Sequence, residues 1–211
     1  MEATAPNISL GFTKRQFPAG THMCFIYDSE EDRHRVMAPY LAAGLDGNER
    51  VAYLSHFAPE NVLEWLGEAG VPAAPTEVRG SVEVLPAEHT YCPDGFFDPE
   101  QMLDALRGFR AQADEAGYEG FRASGEMGWA LGDIPSSERL LEYEAKLNYV
   151  FPECQITGMC QYDANLWDGA TLLHILRVHP FMVVRGQVLE NPYYMTPDEH
   201  LGEYDGRRPA A

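Results

Sequence analysis

The stretch THMCFIYDSEE, residues 21 to 31, sets His22 and Cys24 two positions apart in an apolar run that ends at Tyr27 and Asp28. Side chains two apart on a strand share one face, so an imidazole and a thiol point the same way. With Cys160 or His179 they could form part of a metal or haem site. A buried cysteine beside a hydrogen-bonded histidine is the commoner meaning of such spacing, and the pair alone selects neither.

Glu126 and Trp129 lie in SGEMGWAL next to Gly125 and Gly128, whose missing side chains allow close backbone approach. A carboxylate and an indole in one such turn can grip a small molecule with a polar and an apolar end, or can cap a sheet. Polar tips also follow the other apolar runs: Ser55 and His56; Glu88, His89, Tyr91 and Cys92; Tyr162 and Asp163. His179 and Pro180 read as a pair that fixes a turn. The serine-hydrolase and zinc-peptidase motifs are missing and no nucleophile stands beside a base, so the reading leans away from an enzyme. The sequence names no cofactor.

A phosphate loop needs glycines that expose backbone N–H groups and a lysine that neutralises charge. DSEEDRH, residues 28 to 34, has neither. A polyphosphate beside Asp28, Glu30, Glu31 or Asp32 would meet like charges, each close pair costing about 4 kcal/mol at 4 Å in an effective dielectric of 20. The acids suit a helix start instead, with Ser29 as N-cap.

The elements that must position these residues alternate along the chain. Residues 22–27 read as a buried strand, and 30–46 as a helix whose inner stripe is Val36, Met37, Tyr40, Leu41 and Leu45. RVAYL (50–54) is a second strand, and Pro59 opens a helix carrying Val62, Leu63 and Leu66. Residues 71–80 form a loop, and VEVL (82–85) a third strand. Asp98 with Pro99 starts a helix carrying Met102, Leu103, Leu106, Phe109 and Ala113. Strands at 120–124, 155–162 and 181–184 flank helices near 137–150 and 169–178. Such alternation predicts an α/β fold, a three-layer sandwich with a mainly parallel central sheet and right-handed crossovers. Ligands of these folds bind beyond the carboxyl ends of the strands, where the polar tips would form one rim around one crevice. The tail from Asn191, rich in Pro and charge, is expected to dock loosely or fray.

At 211 residues the chain is long enough for one continuous core. Its 33 acids against 15 bases give a net charge of -18, which disfavours direct contact with nucleic acid or anionic lipid. The four cysteines show no CxxC spacing, and no export signal precedes them. Reduced thiols in the cytoplasm are expected. No apolar run approaches the roughly 18 residues of a membrane helix.

The ordered motifs H-x-C-x-x-Y-D (22–28), LDGNERVAYL (45–54), DGFFDPEQMLDAL (94–106), GEMGWAL (125–131), LLEYEAKLN (140–148), CQYD (160–163) and LRVHPFMVV (176–184) resemble the MEDS domain, the methanogen/methylotroph DcmR-type sensory domain. The resemblance implies a RecA/KaiC-like relative lacking the phosphate loop, with Glu126 near the acidic strand end of those ATPases. It also implies a sensor of small hydrocarbon derivatives. The expected organisation is an N-terminal extension (1–19), a sensory domain (20–186) and a C-terminal tail (187–211). The domain would stand alone, bind a small organic molecule and signal to a separate regulatory protein of kinase or transcription-regulator type, with self-association open to it. Candidate ligand-binding residues are His22, Cys24, Tyr27, Tyr91, Glu126, Trp129 and Tyr162. Two alternatives stand beside this reading: a ligand-free interaction module presenting Tyr193, Tyr194 and Met195, and a metal- or haem-based redox sensor using His22 and Cys24.

Overall fold

The computed structural model describes residues 5–56 and 58–207, so expectations for residues 1–4 and 208–211 lie outside the described residues. In chain order the elements are β1 (Asn7–Ser9), β2 (Gln16–Pro18), β3 (His22–Tyr27), α1 (Glu30–Asp46), β4 (Glu49–Ser55), α2 (Pro59–Glu68), β5 (Ala73–Ala74), β6 (Val82–Pro86) and α3 (Ala87–Tyr91). There follow α4 (Pro99–Glu115), β7 (Gly120–Glu126), 3-10 turns at Met127–Leu131 and Ser137–Arg139, α5 (Leu140–Cys154), β8 (Ile156–Asp163), α6 (Gly169–Arg177), β9 (Phe181–Val184), β10 (Gln187–Glu190) and α7 (Pro197–Arg207).

Local chemistry sets the helix starts. Ser29 Oγ accepts from the Asp32 N–H at 3.3 Å, Asp98 Oδ1 from the Glu100 N–H at 3.0 Å ahead of Pro99, and Asp168 Oδ1 from the Ala170 N–H at 2.9 Å. Among the described residues, eight strands form one sheet in the order β10-β9-β3-β8-β7-β4-β6-β5, and every neighbouring pair except β9 and β10 is parallel. The α/β architecture and mainly parallel sheet are as the alternation of elements predicts.

Period-two alternation divides the strand side chains between two cores. Helices α1 and α2 cover one face, where Met23, Phe25, Val51, Tyr53 and Met159 meet Met37, Tyr40 and Leu66. Helices α4, α5 and α6 cover the other, where Cys24, Leu54, Phe121, Cys160 and Tyr162 meet Met102, Tyr143, Leu147 and Ile175. The hairpin of β1 and β2 closes the first core with Leu10 and Phe17. It is tied down by Arg122, whose guanidinium donates to Glu49 and to the carbonyl oxygens of Tyr40 and Ser9.

The segment after residue 186 first extends the sheet and then docks. Arg185 (φ 50°) and Gly186 (φ 72°) form a two-residue turn with both residues left-handed, the geometry that folds a strand back on itself. Residues Gln187–Glu190 accordingly extend the sheet as its antiparallel edge. Asn191 then buries its amide, donating to the carbonyls of His179 at 2.9 Å and of Leu176. Helix α7 packs on α5, with the Tyr149 hydroxyl donating to Asp198. The expected loop at 71–80 contains the short strand β5.

Candidate functional site

The side chains expected to form one rim occupy four places. His22 opens β3 while Tyr27 ends it, about 17 Å apart at 3.3 Å per residue. Alternation then sends His22 and Cys24 to one face of the sheet and Tyr27 to the other. The single rim is therefore replaced by two buried polar clusters, an aromatic core and a crevice at the strand ends.

On the α1 face, Glu126 is 2% exposed at the end of β7. Its Oε1 accepts from Arg33 Nη1 at 2.5 Å and from the Tyr53 hydroxyl, and its Oε2 accepts from the His56 backbone N–H at 2.7 Å. Arg33 comes from the first turn of α1, within the acidic stretch that replaces a phosphate loop, and also reaches Glu30 and the Tyr53 oxygen. The space left beside Glu126, between Tyr27, His56, Gln161 and Asp163, is about 10 Å³. That is room for one water at most, so Glu126 is a lock between α1 and the sheet.

Trp129 is 1% exposed and stacks on Tyr91 at 4.8 Å between ring centroids, with Phe97 and Tyr143 packed around them. The flanking glycines serve this packing. A Cβ at Gly125 would lie 2.3 Å from the Tyr91 hydroxyl, and one at Gly128 would lie 2.5 Å from the His56 ring. Neither Tyr91 nor Trp129 lines the crevice.

On the opposite face, Glu144 of α5 is fully buried. Its Oε1 accepts from the Tyr162 hydroxyl at 2.5 Å, and its Oε2 lies 3.2 Å from His22 Nε2, 3.2 Å from His179 Nε2 and 3.3 Å from Cys160 Sγ. Burial opposes the carboxylate charge, but the two imidazoles outweigh it and hold the Glu144 carboxyl well below the ordinary range. Burial raises the Cys160 thiol far above its ordinary value, and Glu144 raises it further. Cys24 lies on the same face but outside this group, whose thiol is that of Cys160.

The open crevice lies at the carboxyl ends of β3 and β9 and holds about 400 Å³. Cys24, Ile26, Val36, Leu176, Met182 and Val184 supply apolar wall, Tyr27 a phenol, and Asp28, Asp32, Arg35 and Arg185 stand around it. Of the seven expected ligand residues, only Cys24 and Tyr27 line it. Burial raises the Tyr27 phenol well above its ordinary range, partly offset by Arg33, so it is a neutral donor.

Sequence reasoning missed Arg33 and Glu144. Both lie on apolar helical stripes: Arg33 with Met37 and Tyr40, Glu144 with Leu140 and Leu147. A charged residue on such a stripe was the available signal. His179 serves both of its expected settings: its Nδ1 bonds the Ile175 carbonyl at 2.7 Å at the turn, and its Nε2 faces Glu144 beside His22. In the expected interaction patch Tyr193 is exposed, while Tyr194 and Met195 are half-buried.

Eight largely parallel strands between two helical layers, with a buried acid at a strand end and no phosphate loop before α1, place the chain in the RecA/KaiC class of α/β folds. A KaiC-like protein of Pyrococcus horikoshii OT3 superposes with TM-score 0.56 at 13% identity, covering 84% of this chain and 80% of that one. The flagellar accessory protein FlaH of Methanocaldococcus jannaschii gives TM-score 0.54 at 12% identity, covering 88% and 84%. More particularly, the chain belongs to the MEDS family, the MEthanogen/methylotroph, DcmR Sensory domain, which matches residues 21–180. The transcriptional repressor DcmR of Methylorubrum extorquens is 27% identical over 164 residues, 75% of this chain, and the match spans 57% of that repressor's length. No helix among the described residues is long and apolar enough to cross a membrane.

Proposed function

We propose that the chain is a sensory domain whose ligand is a small, neutral organic molecule seated in the crevice between β3, β9, α1 and α6, and that it reports occupancy to a transcription regulator. The observation that carries this reading is the crevice itself. Its 400 Å³ suits a small molecule. Its wall is largely apolar with one neutral phenol, and its two acids, Asp28 and Asp32, are matched by Arg35 and Arg185, which leaves no net charge to select an ion. By contrast, Glu126 at the end of β7 is bonded to Arg33, and residues 28–34, which border the crevice, offer acids in place of a phosphate cradle. The family and the regulatory character of DcmR support the sensory half of the proposal.

The hairpin of β9 and β10 forms one wall of the crevice and the edge of the sheet, and exposes Val184 and Leu189. Filling the crevice would bias this hairpin, and its outer edge is the proposed route to the partner. A thermal-shift screen with short-chain alcohols, amines and haloalkanes tests the reading. A saturable rise in Tm that disappears in Met182→Trp, which fills the crevice, is expected. Binding undiminished by Met182→Trp would move the ligand elsewhere.

A further inference from the structure

The geometry points to a second site: we infer that His22, Glu144, Cys160 and His179 bind one first-row divalent transition ion of the Zn²⁺ or Co²⁺ kind. One donor atom from each lies within 4.8 Å of the others, and all four residues are buried. The near separations are 3.2 Å for both imidazole–carboxylate pairs, 3.3 Å for thiol to carboxylate and 3.4 Å from His22 Nε2 to Cys160 Sγ. A tetrahedral ion with bonds of about 2.0–2.3 Å separates its ligands by about 3.3–3.8 Å. Mixed N, O and S donors suit this class of ion rather than calcium or magnesium.

The tautomers strengthen the case. Asn148 donates its amide N–H groups to the carbonyls of Val178, Glu144 and Ala145, which leaves its Oδ1 to accept from His22 Nδ1 at 2.9 Å. His179 Nδ1 donates to the Ile175 carbonyl. Each ring has therefore spent its Nδ1 proton outward, the arrangement that orients metal-binding histidines. Both Nε2 atoms then converge on one carboxylate oxygen, Glu144 Oε2, at 3.2 Å each. His179 Nε2 lies at ion-pair distance from Glu144 but makes no hydrogen bond of acceptable geometry. A metal ion among these atoms would draw on all four donors at once. A divalent ion with Glu144 carboxylate and Cys160 thiolate is neutral as a unit, at the release of the thiol proton to solvent. His22 and Asn148 also line an open groove of about 340 Å³ at the amino end of β3, which gives an ion a way in. This site is separate from the strand-end crevice, and either can fail without the other.

The test titrates the 211-residue chain, stripped with chelator under reducing conditions, with Co²⁺ while visible and near-ultraviolet absorption are recorded. The expected result is one Co²⁺ per chain, tetrahedral d–d bands and a thiolate-to-cobalt band that Zn²⁺ displaces. That band should vanish in Cys160→Ser and persist in Cys24→Ser. Asn148→Ala should weaken binding about 10–100-fold, as loss of a group that orients a ligand does. Absence of bound metal and of both bands in the unmodified chain, after titration and after refolding with Co²⁺, would overturn the inference. So would a thiolate band lost in Cys24→Ser instead. The unmodified chain and Cys24→Ser decide the matter even if Cys160→Ser does not fold.

Discussion

Glu126 and Glu144 are both almost wholly buried on opposite faces of one sheet, yet the protein answers their charges differently. Glu126 meets a guanidinium, which is charged at every accessible pH. Glu144 meets two imidazoles and a thiol, none of which carries a permanent positive charge. The first arrangement is unconditional and suits a structural lock. The second depends on solution conditions and suits a site that something enters. Burial of an acid therefore does not mark function; the chemistry of its partner does.

The largest expected effect breaks the unconditional side. Arg33→Ala leaves Glu126 buried without its cation and should cost about 3–5 kcal/mol in urea unfolding, whereas Arg33→Met combined with Glu126→Leu should recover most of that loss. A loss under 1 kcal/mol for Arg33→Ala would mean that Glu126 is solvated and the contrast false.

The next effect tests what the two sides share. Each glutamate accepts from one phenol, Tyr53 for Glu126 and Tyr162 for Glu144. Tyr53→Phe and Tyr162→Phe should each cost about 1.5–3 kcal/mol, the range for a hydrogen bond to a charged group. Burial, and then the neighbouring glutamate, raise both phenols well above their ordinary 10.0. With the folded value above the unfolded one, this stabilisation is full below pH 10 and lost as pH rises beyond it. Urea midpoints should fall steeply above pH 10, and less steeply in either Phe variant. Parallel curves for the Phe variants and the unmodified chain would contradict that sign.

The smallest effect lies at the mouth of the crevice. Ser29→Ala removes the cap of α1 and should cost about 1 kcal/mol. Because α1 carries both Arg33 and the crevice residues Asp32 and Val36, the substitution should also weaken ligand binding; unchanged binding would separate the crevice from the helix start.

The fold was legible because its signals are local. Ser29, Asp98 and Asp168 mark helix starts by hydrogen bonds within a few residues, and apolar runs mark the strands. The edge strand at 187–190 escaped because Arg-Gly is a weak turn signal beside Asn-Gly. The site was less legible because strand ends in sequence do not reveal faces in space. His22 and Tyr27 share a strand but serve opposite cores, and Glu144 reaches His22 from a helix more than a hundred residues away in sequence. Trp129 and Tyr91 looked like ligand rings because aromatics at strand ends are ambiguous until packing is known.

The central claim is that ligand enters the crevice at the ends of β3 and β9. Its most direct test is an amide and methyl NMR titration with the compound that gives the largest thermal shift. The account predicts saturable shifts centred on Ile26, Tyr27, Ala164, Met182 and Val184, extending along the hairpin to Leu189. Shifts centred on Tyr193, around Glu126, or spread without a focus would contradict it.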